Sequence, residues 1–241
     1  MWQTKLAQSD RFQKQDDFWT RTFAGEIPLL NLPHDYPRPS VQSFDGDTVA
    51  LDTGHHLLEQ LRKLAAETGT TLFMVLLAAY HVLLSKYAGQ EEVVVGTPIA
   101  GRSHADVERI VGMFVNTLAL KNTAAGSLSF RAFLEDVKQN ALHAFEHQDY
   151  PFEHLVEKLQ VRRDLSRNPL FDTMFSLGLA ESAEGEVADL KVSPYPVNGH
   201  IAKFDLSLDA MEKQDGLLVQ FSYCTKLFAK ETIDQEGPLI V

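Results

Sequence analysis

One segment, Leu72 to Tyr87, is apolar on almost every side: LFMVLLAAYHVLLSKY. Only His81, Ser85 and Lys86 interrupt it, and as a helix it is too short to cross a bilayer. A helix that is hydrophobic all round needs other elements to cover every side of it. We therefore expect this helix to lie at the centre of a sizeable core.

Hydrophobic spacing and breaking residues predict the remaining elements. Four prolines between Ile27 and Pro39 favour an extended stretch, because proline lacks the N–H that helix and sheet need. Asp215-Gly216 predicts a hairpin turn between two strands. The predicted helices cover Leu6–Phe23, His55–Thr68, Thr70–Tyr87 and Ser127–Gln148, the last capped by Ser127 or Ser129, and the predicted strands lie within Thr48–Leu51, Glu91–Pro98, Phe114–Asn122, Asp172–Ala180, Ala188–Val197 and Phe204–Cys224.

No internal repeat, low-complexity tract or Gly/Ser-rich linker divides the 241 residues. The order of elements is helix, extended segment, strand, two helices, two strands, helix and then mostly strands. Such an order is typical of one α+β unit. We therefore predict a single compact unit in which helices pack against a mixed β-sheet.

The charge balance and the single cysteine exclude several classes of protein. The formal net charge is −11, and the basic residues are scattered among carboxylates, so no basic face is expected for nucleic acid or an anionic membrane. Cys224 is the only cysteine, so neither a disulfide framework nor a thiolate metal site is expected. The N-terminal stretch MWQTKLAQSDRFQKQ lacks the apolar region of a signal peptide. We expect a cytoplasmic protein that binds neither nucleic acid nor a membrane.

The sequence offers few motifs for metal binding or nucleophilic catalysis. His55 and His56 are adjacent, but neighbouring helical side chains point about 100° apart and cannot chelate one ion together. His104 and Asp106 belong to no metal-ligand spacing. The stretch VVVGTPIAGRSH matches neither a phosphate loop nor a dinucleotide fold, and no Gly-x-Ser-x-Gly elbow occurs. We predict no metal site and no serine hydrolase.

Three stretches, taken together, are far more specific than any one of them. They stand in the order VGMFVNTLALK, HQDYPFEHLVEKL and RDLSRNPLFDTMFSL, over Val111–Lys121, His147–Leu159 and Arg163–Leu177. Together they resemble the C-terminal motifs of condensation domains of nonribosomal peptide synthetases. The stretches NLPHDYPRP and VVVGTPIAGR fit the same family, and the resemblance runs from Trp2 to about Ile233.

This resemblance implies a chloramphenicol acetyltransferase-like fold of two similar lobes with a tunnel between them. It implies amide formation, in which the amine of one carrier-bound substrate attacks the thioester of another. The substrates would be carried on the phosphopantetheine arms of carrier proteins, and no cofactor would be bound directly. The implied partners are the carrier proteins, the N-terminal lobe and an adjacent adenylation domain.

The chain departs from the family pattern at both ends. The hallmark His-His-x-x-x-Asp-Gly motif of the N-terminal lobe is absent, because Leu57 to Gln60 follow the only His-His pair without an Asp-Gly. The beginning, MWQ, is similar to the end of the preceding family motif. Residues 234–241 contain a Gly-Pro break where the family continues into a helix, so the tail is atypical. We expect residues 1–241 to be the C-terminal lobe alone, inactive by itself and prone to self-association.

The stretches around Tyr150 and Ser166 allow two interpretations. They could form a structural hinge, with a helix that begins at Pro151 or Phe152 and takes Asp149 as its cap. Arg163, Asp164 and Arg167 could then pair and fix the path of the following loop. Alternatively, by resemblance, Tyr150, Arg163, Ser166 and Arg167 would line the tunnel or orient a substrate.

Asn116 is the remaining candidate for the site. In a strand it would point to the face opposite Val115 and Thr117, and a carboxamide among apolar neighbours needs a polar partner. The resemblance implies that it faces the tunnel near the reacting thioester. A purely structural role for its hydrogen bonds is the alternative.

Other functional classes stay open from the sequence. A coenzyme A-dependent acyltransferase shares the fold but would need its own histidine motif. An epimerization domain shares it too, with a different sequence where this chain has VGMFVNT. A non-catalytic lobe that docks a carrier or an adenylation domain is the third alternative.

Overall fold

A computed structural model describes residues 9–102, 105–161, 164–179, 185–187, 190–192 and 200–236. The helices in this part are α1 Asp10–Thr22, α2 His55–Thr68, α3 Leu72–Ala88, α4 Ala105–Glu108, α5 Phe130–Glu146, α6 Phe152–Lys158 and α7 Lys230–Glu236. The strands are β1 Gly46–Gly54, β2 Glu92–Ile99, β3 Asn116–Thr123, β4 Thr173–Leu179, β5 Gly185–Val187, β6 Leu190–Val192, β7 Leu206–Lys213 and β8 Gly216–Cys224.

Six strands form one sheet in the order β1-β8-β7-β4-β2-β3. The pairs β1–β8, β8–β7 and β2–β3 are antiparallel, whereas β7–β4 and β4–β2 are parallel. In the part of the chain that the structure describes, the short strands β5 and β6 form a separate two-stranded sheet. This mixed sheet packed by helices confirms the predicted α+β class.

Helices α2, α3 and α5 pack together and cover the sheet. α2 contacts β1 and β8, α3 contacts β2, and α5 contacts β3. Buried Leu206, Leu208 and Ala210 alternate along β7 with the half-buried Ser207 and Asp209, as expected for a strand with one covered face. The core therefore lies between the sheet and these three helices.

The apolar helix α3 lies at the centre, as its sequence predicted. Thr71 caps its first turn by accepting a hydrogen bond from the amide of Met74 at 3.3 Å, and Gly89 ends it in the left-handed conformation. Leu77 and Tyr80 are completely buried on it. Burial of this helix on most of its surface stabilises the fold by about 1.5–3 kcal/mol for each fully buried large side chain.

Several predicted bounds are confirmed and others shift. α2 spans His55–Thr68 as predicted, and Asp215-Gly216 forms the turn between β7 and β8. In the predicted strand over Ala188–Val197, only β6 belongs to the described residues. A helix does follow β8, through Glu236, and the Gly-Pro break lies beyond the described residues.

In the described ranges, no single helix has both the length and the composition to cross a bilayer. The pair α2 and α3 passes that test only when its two members, bent by 102°, are taken together.

His81 of α3 is a completely buried titratable group. From the sequence it was noted only as an interruption of an apolar run. Its Nδ1 lies 2.9 Å from the carbonyl oxygen of Leu77, and its Nε2 lies 3.2 Å from Nδ2 of Asn122. The carboxamide oxygen of Asn122 in turn accepts a hydrogen bond from Asn140 at 2.9 Å. Burial lowers the pKa of His81 to about 4, so the ring is neutral at pH 7.

This buried histidine predicts a pH dependence of stability. The pKa of His81 is about 4 in the folded state and near 6.5 in the unfolded state, so the unfolded chain binds the proton more readily between these values. We expect the free energy of unfolding to fall as pH drops from 6.5 to 4.5, with a His81 contribution of about 2–3 kcal/mol. Urea unfolding at both pH values measures it.

The matched variants are His81→Gln and His55→Gln, since His55 is exposed at the start of α2. His81→Gln should flatten the pH dependence, whereas His55→Gln should keep the wild-type slope. Equal slopes in the two variants would show that His81 is not the responsible group.

Candidate functional site

Asn116, the first residue of β3, binds the backbone of the turn that leads into α6. Its Nδ2 donates to the carbonyl oxygens of Gln148 at 3.0 Å and Tyr150 at 2.8 Å. Its Oδ1 accepts from the amide of Phe152 at 3.1 Å. Both N–H donors of the carboxamide are thus occupied by this turn. The carboxamide has the polar partner that its sequence context demanded, and that partner is backbone.

The start of α6 differs from the prediction in one respect. Pro151 is the residue at the helix N-cap, and it offers no side-chain oxygen to the first amides. Asp149, the predicted cap, instead forms an ion pair with Arg11 of α1. The amide of Phe152 is satisfied by Asn116 across the fold, so the cap comes from a strand that precedes the helix by more than thirty residues.

Tyr150 is buried in the same turn and contacts α1. Its hydroxyl donates to Oδ1 of Asp16 at 2.6 Å, and Lys158 donates to the other carboxylate oxygen at 2.9 Å. Its ring lies 5.1 Å from that of Phe12. The hydrogen bond from Tyr150 lowers the pKa of Asp16, while burial raises the pKa of Tyr150. Tyr150 therefore joins the turn to α1 as a protonated phenol.

Two aromatic residues of α1 hold the beginning of this turn. The indole N–H of Trp19 donates to the carbonyl oxygen of His147 at 2.9 Å. The ring of Phe18 stacks on the His147 imidazole at 4.1 Å. His147, the first of the two histidines in HQDYPFEHL, is therefore a packing residue at the end of α5.

The loop from Asp164 to Asp172 follows a path fixed by short-range hydrogen bonds. Oδ1 of Asp164 accepts from the amide of Ser166 at 2.8 Å and from its hydroxyl at 2.7 Å. These bonds lower the pKa of Asp164. The predicted ion partner for Arg167 was Asp164, but the residue that it pairs with is Asp172. Arg163 lies outside the described residues.

Leu170 and Phe171 bring this loop onto the sheet. Leu170 is buried with a φ of 69°, a left-handed conformation that a branched side chain adopts only where its surroundings compensate for the strain. The ring of Phe171 lies directly against Gly96 of β2, where a Cβ would come within 2.2 Å of a ring carbon. A glycine in the buried strand VVVGTP is thus required by the close approach of Phe171.

Two ion pairs next to this loop connect the proline-rich segment, residues 27–39, to the sheet and to the loop. Arg38 of that segment forms a bidentate pair with Asp205, which precedes β7, and also donates to the carbonyl oxygen of Ser166 at 2.9 Å. Arg167 pairs with Asp172 and donates to the carbonyl oxygen of Leu30 at 3.0 Å. The two aspartates are joined by a hydrogen bond from the amide of Asp205 to the carbonyl oxygen of Asp172, at 2.9 Å.

These charges are largely removed from water. Burial and the charge of Asp205 raise the pKa of Asp172. Burial and the neighbouring charge of Arg38 lower the pKa of His34, whose Nε2 lies 3.4 Å from the guanidinium. Both arginines thus neutralise aspartates in the interior. Ser166 and Arg167, two of the sequence-predicted site residues, are part of this cluster.

The described side chains offer no assembled catalytic group. His55 and His56 stand exposed at the start of α2 and contact Glu59 and Gln60 of the same helix. Cys224 is buried, and burial raises the pKa of its thiol, so it is a poor nucleophile. Among the residues that the structure describes, no group of His, Cys, Asp and Glu could hold a metal ion.

The ion cluster predicts a large effect of removing one partner. Asp205→Ala leaves Arg38 as a buried charge without its carboxylate, so the free energy of unfolding should fall by about 3–5 kcal/mol. Glu212→Ala, at the other end of β7, breaks the more exposed pair with Arg62 and should cost less than about 1 kcal/mol. Chemical unfolding of both variants measures the two values. Equal losses would contradict a buried, mutually dependent cluster.

Comparison with known sequences gives the family. The model of the condensation domain matches residues 1–236. Tyrocidine synthase 3 of Brevibacillus parabrevis is 97% identical over 98% of this chain, which covers 4% of that protein. Gramicidin S synthase 2 of Aneurinibacillus migulanus is 64% identical over 98% of the chain, which covers 5% of it. The chain therefore spans a small part of the relatives that it matches.

Solved structures show the same fold. A four-domain nonribosomal peptide synthetase bound to AMP and glycine is 25% identical, with a TM-score of 0.88 over 97% of this chain and 19% of its own. The X-domain from teicoplanin biosynthesis is 24% identical, with a TM-score of 0.90 over 99% of this chain and 56% of its own. The chloramphenicol acetyltransferase-like fold that the sequence motifs implied is confirmed. The chain belongs to the condensation-domain family.

Proposed function

We propose that this chain is the C-terminal lobe of a condensation domain that joins carrier-bound aminoacyl or peptidyl thioesters through an amide bond. The observation that carries the proposal is the family match over residues 1–236 together with the 97% identity to part of tyrocidine synthase 3. The chain covers only 56% of the matching X-domain chain. That share supports a second lobe of similar size in the working domain.

The partners follow from this assignment. Substrates would arrive on the phosphopantetheine arms of carrier proteins, which would approach the two faces of a tunnel between the lobes. An adenylation domain would lie next to the condensation domain in the same synthetase, in the cytoplasm. No cofactor is proposed for this lobe itself.

The lobe would contribute positioning groups to the reaction. Asn116 and Tyr150 fix the turn before α6, and Ser166 and Arg167 fix the following loop, each through bonds to neighbouring backbone or carboxylates. Rigid loops at the tunnel wall would hold a thioester and an amine in a reactive arrangement. Arg163 belongs to the same proposed wall by its place in the RDLSRNPL motif.

A proton-moving group would have to come from the other lobe. The only His-His pair of this chain is exposed on α2 and is not followed by the Asp-Gly of the family motif. A general base acts only within about 3 Å of the proton that it moves. The described residues therefore support a lobe that shapes the site without supplying the base.

A non-catalytic lobe that docks a carrier or an adenylation domain is the second candidate. The described residues contain no assembled base, and this favours a docking role for the chain when it is present without the other lobe. In this case the matching intact domain would also fail to form amide bonds, whereas the first proposal requires that domain to be active.

The first functional prediction concerns the chain alone. Mixed with a loaded donor carrier and a loaded acceptor carrier, the chain should form no dipeptide above a protein-free control, as measured by mass spectrometry. The matching intact condensation domain of tyrocidine synthase 3 serves as the positive control. Dipeptide formed by the chain alone would contradict the proposal that the other lobe supplies the proton-moving group.

The second functional prediction separates positioning from direct contact at Asn116. In the intact domain, Asn116→Ala leaves the amide of Phe152 and two carbonyls unpaired, so we expect a loss of about 1–3 kcal/mol in the free energy of unfolding. Because both Nδ2 hydrogens are already used, we expect single-turnover amide formation per folded molecule to fall by less than about tenfold.

Two further variants sharpen this test. Asn116→Asp retains the oxygen that accepts from Phe152 but places a carboxylate oxygen against the carbonyl oxygens of Gln148 and Tyr150, so it should be no more stable than Asn116→Ala. Gln139→Ala removes an exposed carboxamide on α5, which donates to Glu135, and controls for loss of a carboxamide far from the turn. A rate loss of a hundredfold or more, with an unchanged melting temperature, would instead indicate direct contact with substrate.

A further inference from the structure

Three polar side chains form a hydrogen-bonded chain between α3, β3 and α5 that the proposed function does not use. Asn140 of α5 donates to Oδ1 of Asn122 at 2.9 Å, and Nδ2 of Asn122 lies 3.2 Å from Nε2 of His81. Nδ1 of His81 lies 2.9 Å from the carbonyl oxygen of Leu77. His81 is completely buried and Asn122 is 3% exposed. We call His81, Asn122 and Asn140 the β3 relay.

The hydrogen bonds of the β3 relay run in one direction. A carbonyl oxygen can only accept, so Nδ1 of His81 carries the proton and donates to Leu77. Because the buried ring is neutral at pH 7, its Nε2 must accept from the carboxamide of Asn122. The carbonyl oxygen of Leu120, 3.4 Å from the same Nε2, is then not its hydrogen-bond partner. Each member of the relay therefore donates to the next.

Stability alone does not account for the β3 relay. Removing polar groups from water costs free energy, and replacing both partners of a buried hydrogen bond with apolar groups of the same shape is often nearly neutral. Hydrogen bonds are directional, whereas apolar contacts are not, so a fully satisfied polar network selects a single arrangement of the elements that it joins. The relay would select one arrangement of β3 relative to α3 and α5.

The position of β3 matters because this strand carries Asn116. β3 lies at the edge of the sheet, and β2 is its only strand partner in the part of the chain that the structure describes. Asn116 and Asn122 are six residues apart, and every second residue of a strand points to the same face. The two asparagines therefore lie on one face near opposite ends of β3, with the buried side chains of Leu118 and Leu120 between them.

The two asparagines attach β3 to α5 and to the turn that continues it. Asn122 bonds to Asn140 within α5, and Asn116 bonds to Gln148 and Tyr150 in the turn that follows α5. At about 3.3 Å per residue, the two attachments lie roughly 20 Å apart along the strand. One attachment would leave β3 free to pivot about it, whereas two attachments fix both its position and its angle to α5.

We propose that His81 and Asn122 are positioning residues for the amide-forming reaction, because the β3 relay fixes the far end of β3 and so aligns Asn116 with the turn before α6. This inference rests on the proposed function, which assigns that turn to the tunnel wall. Both side chains are buried and cannot touch a substrate. The β3 relay therefore affects the reaction only as far as it affects the bonds of Asn116.

Amide hydrogen exchange in this chain, resolved by NMR, tests the alignment of Asn116. The amide of Phe152 donates to Oδ1 of Asn116 at 3.1 Å, so its exchange rate reports on that bond. His81→Leu combined with Asn122→Leu, the double leucine variant, replaces the buried pair with apolar side chains. We expect the Phe152 amide to exchange at least about tenfold faster in this variant. Unchanged exchange at Phe152 would overturn the proposal.

Two further variants separate the β3 relay from a general loss of stability. Tyr80→Phe removes the buried hydrogen bond between Tyr80 of α3 and Thr173 of β4, a bond that involves neither β3 nor α5. His81→Gln retains one acceptor and one donor for the relay. Exchange at Phe152 should stay close to wild type in both variants. If either variant accelerates this exchange as much as the double leucine variant does, the role assigned to the hydrogen bonds of the relay is wrong.

A mutant cycle in the matching intact condensation domain of tyrocidine synthase 3 tests the effect on the reaction. The double leucine variant should slow single-turnover amide formation per folded molecule by about three- to fivefold, and it should add less than about twofold to the effect of Asn116→Ala. Sites that act independently would multiply their effects instead. Multiplied effects, or an unchanged rate in the double leucine variant, would overturn the positioning role. Inactivity of the wild-type intact domain would refute the proposed function, whereas exchange at Phe152 still decides whether the β3 relay aligns Asn116.

Discussion

Arg38 and Arg167 place two positive charges in the interior, and the arrangement of the loops depends on how these charges are neutralised. The proline-rich segment lacks the N–H groups for a regular ladder, so side chains must attach it to the sheet. Arg38 does so through Asp205, directly before β7, and through the carbonyl of Ser166. Arg167 reaches from the following loop to Asp172. Segments more than a hundred residues apart in sequence thus share one charge cluster.

In two other irregular regions, side chains likewise bind the backbone of a loop. Loop carbonyls and amides have no strand or helix partner, and each buried one costs free energy unless a side chain binds it. Asn116 binds three such groups before α6, and Arg102 binds three in the loop between β2 and β3. Each of the three stretches that resemble the family motifs joins irregular backbone to a regular element, namely β3, α6 or β4.

The regular elements were predictable from the sequence, and the contacts between distant loops were not. The bounds of α2 and the turn at Asp215-Gly216 follow from local spacing, and the apolar run of α3 required a central position. By contrast, Asp149 was predicted as a helix cap but pairs with Arg11, because an aspartate is equally suited to a cap or to an ion pair. Whether Asp149 caps the helix or forms an ion pair depends on where α1 lies, and no local sequence pattern predicts that position. The same reason explains why Asp172 was missed as the partner of Arg167.

In the proposed function, Asn116 is a positioning residue that acts through a turn and does not contact the substrate. Its two N–H donors and its oxygen acceptor are all bound to the turn before α6. The carboxamide therefore fixes the position of that turn relative to β3. Tyr150 in the turn is bound to α1 by its hydroxyl, so the turn has contacts on both sides. In the proposed reaction, a thioester and an amine must be held in a reactive arrangement, and loops fixed by such bonds would serve as the wall that holds them. This lobe would then hold the wall by side-chain bonds to loop backbone, and the group that moves the proton would reside on the proposed opposite lobe.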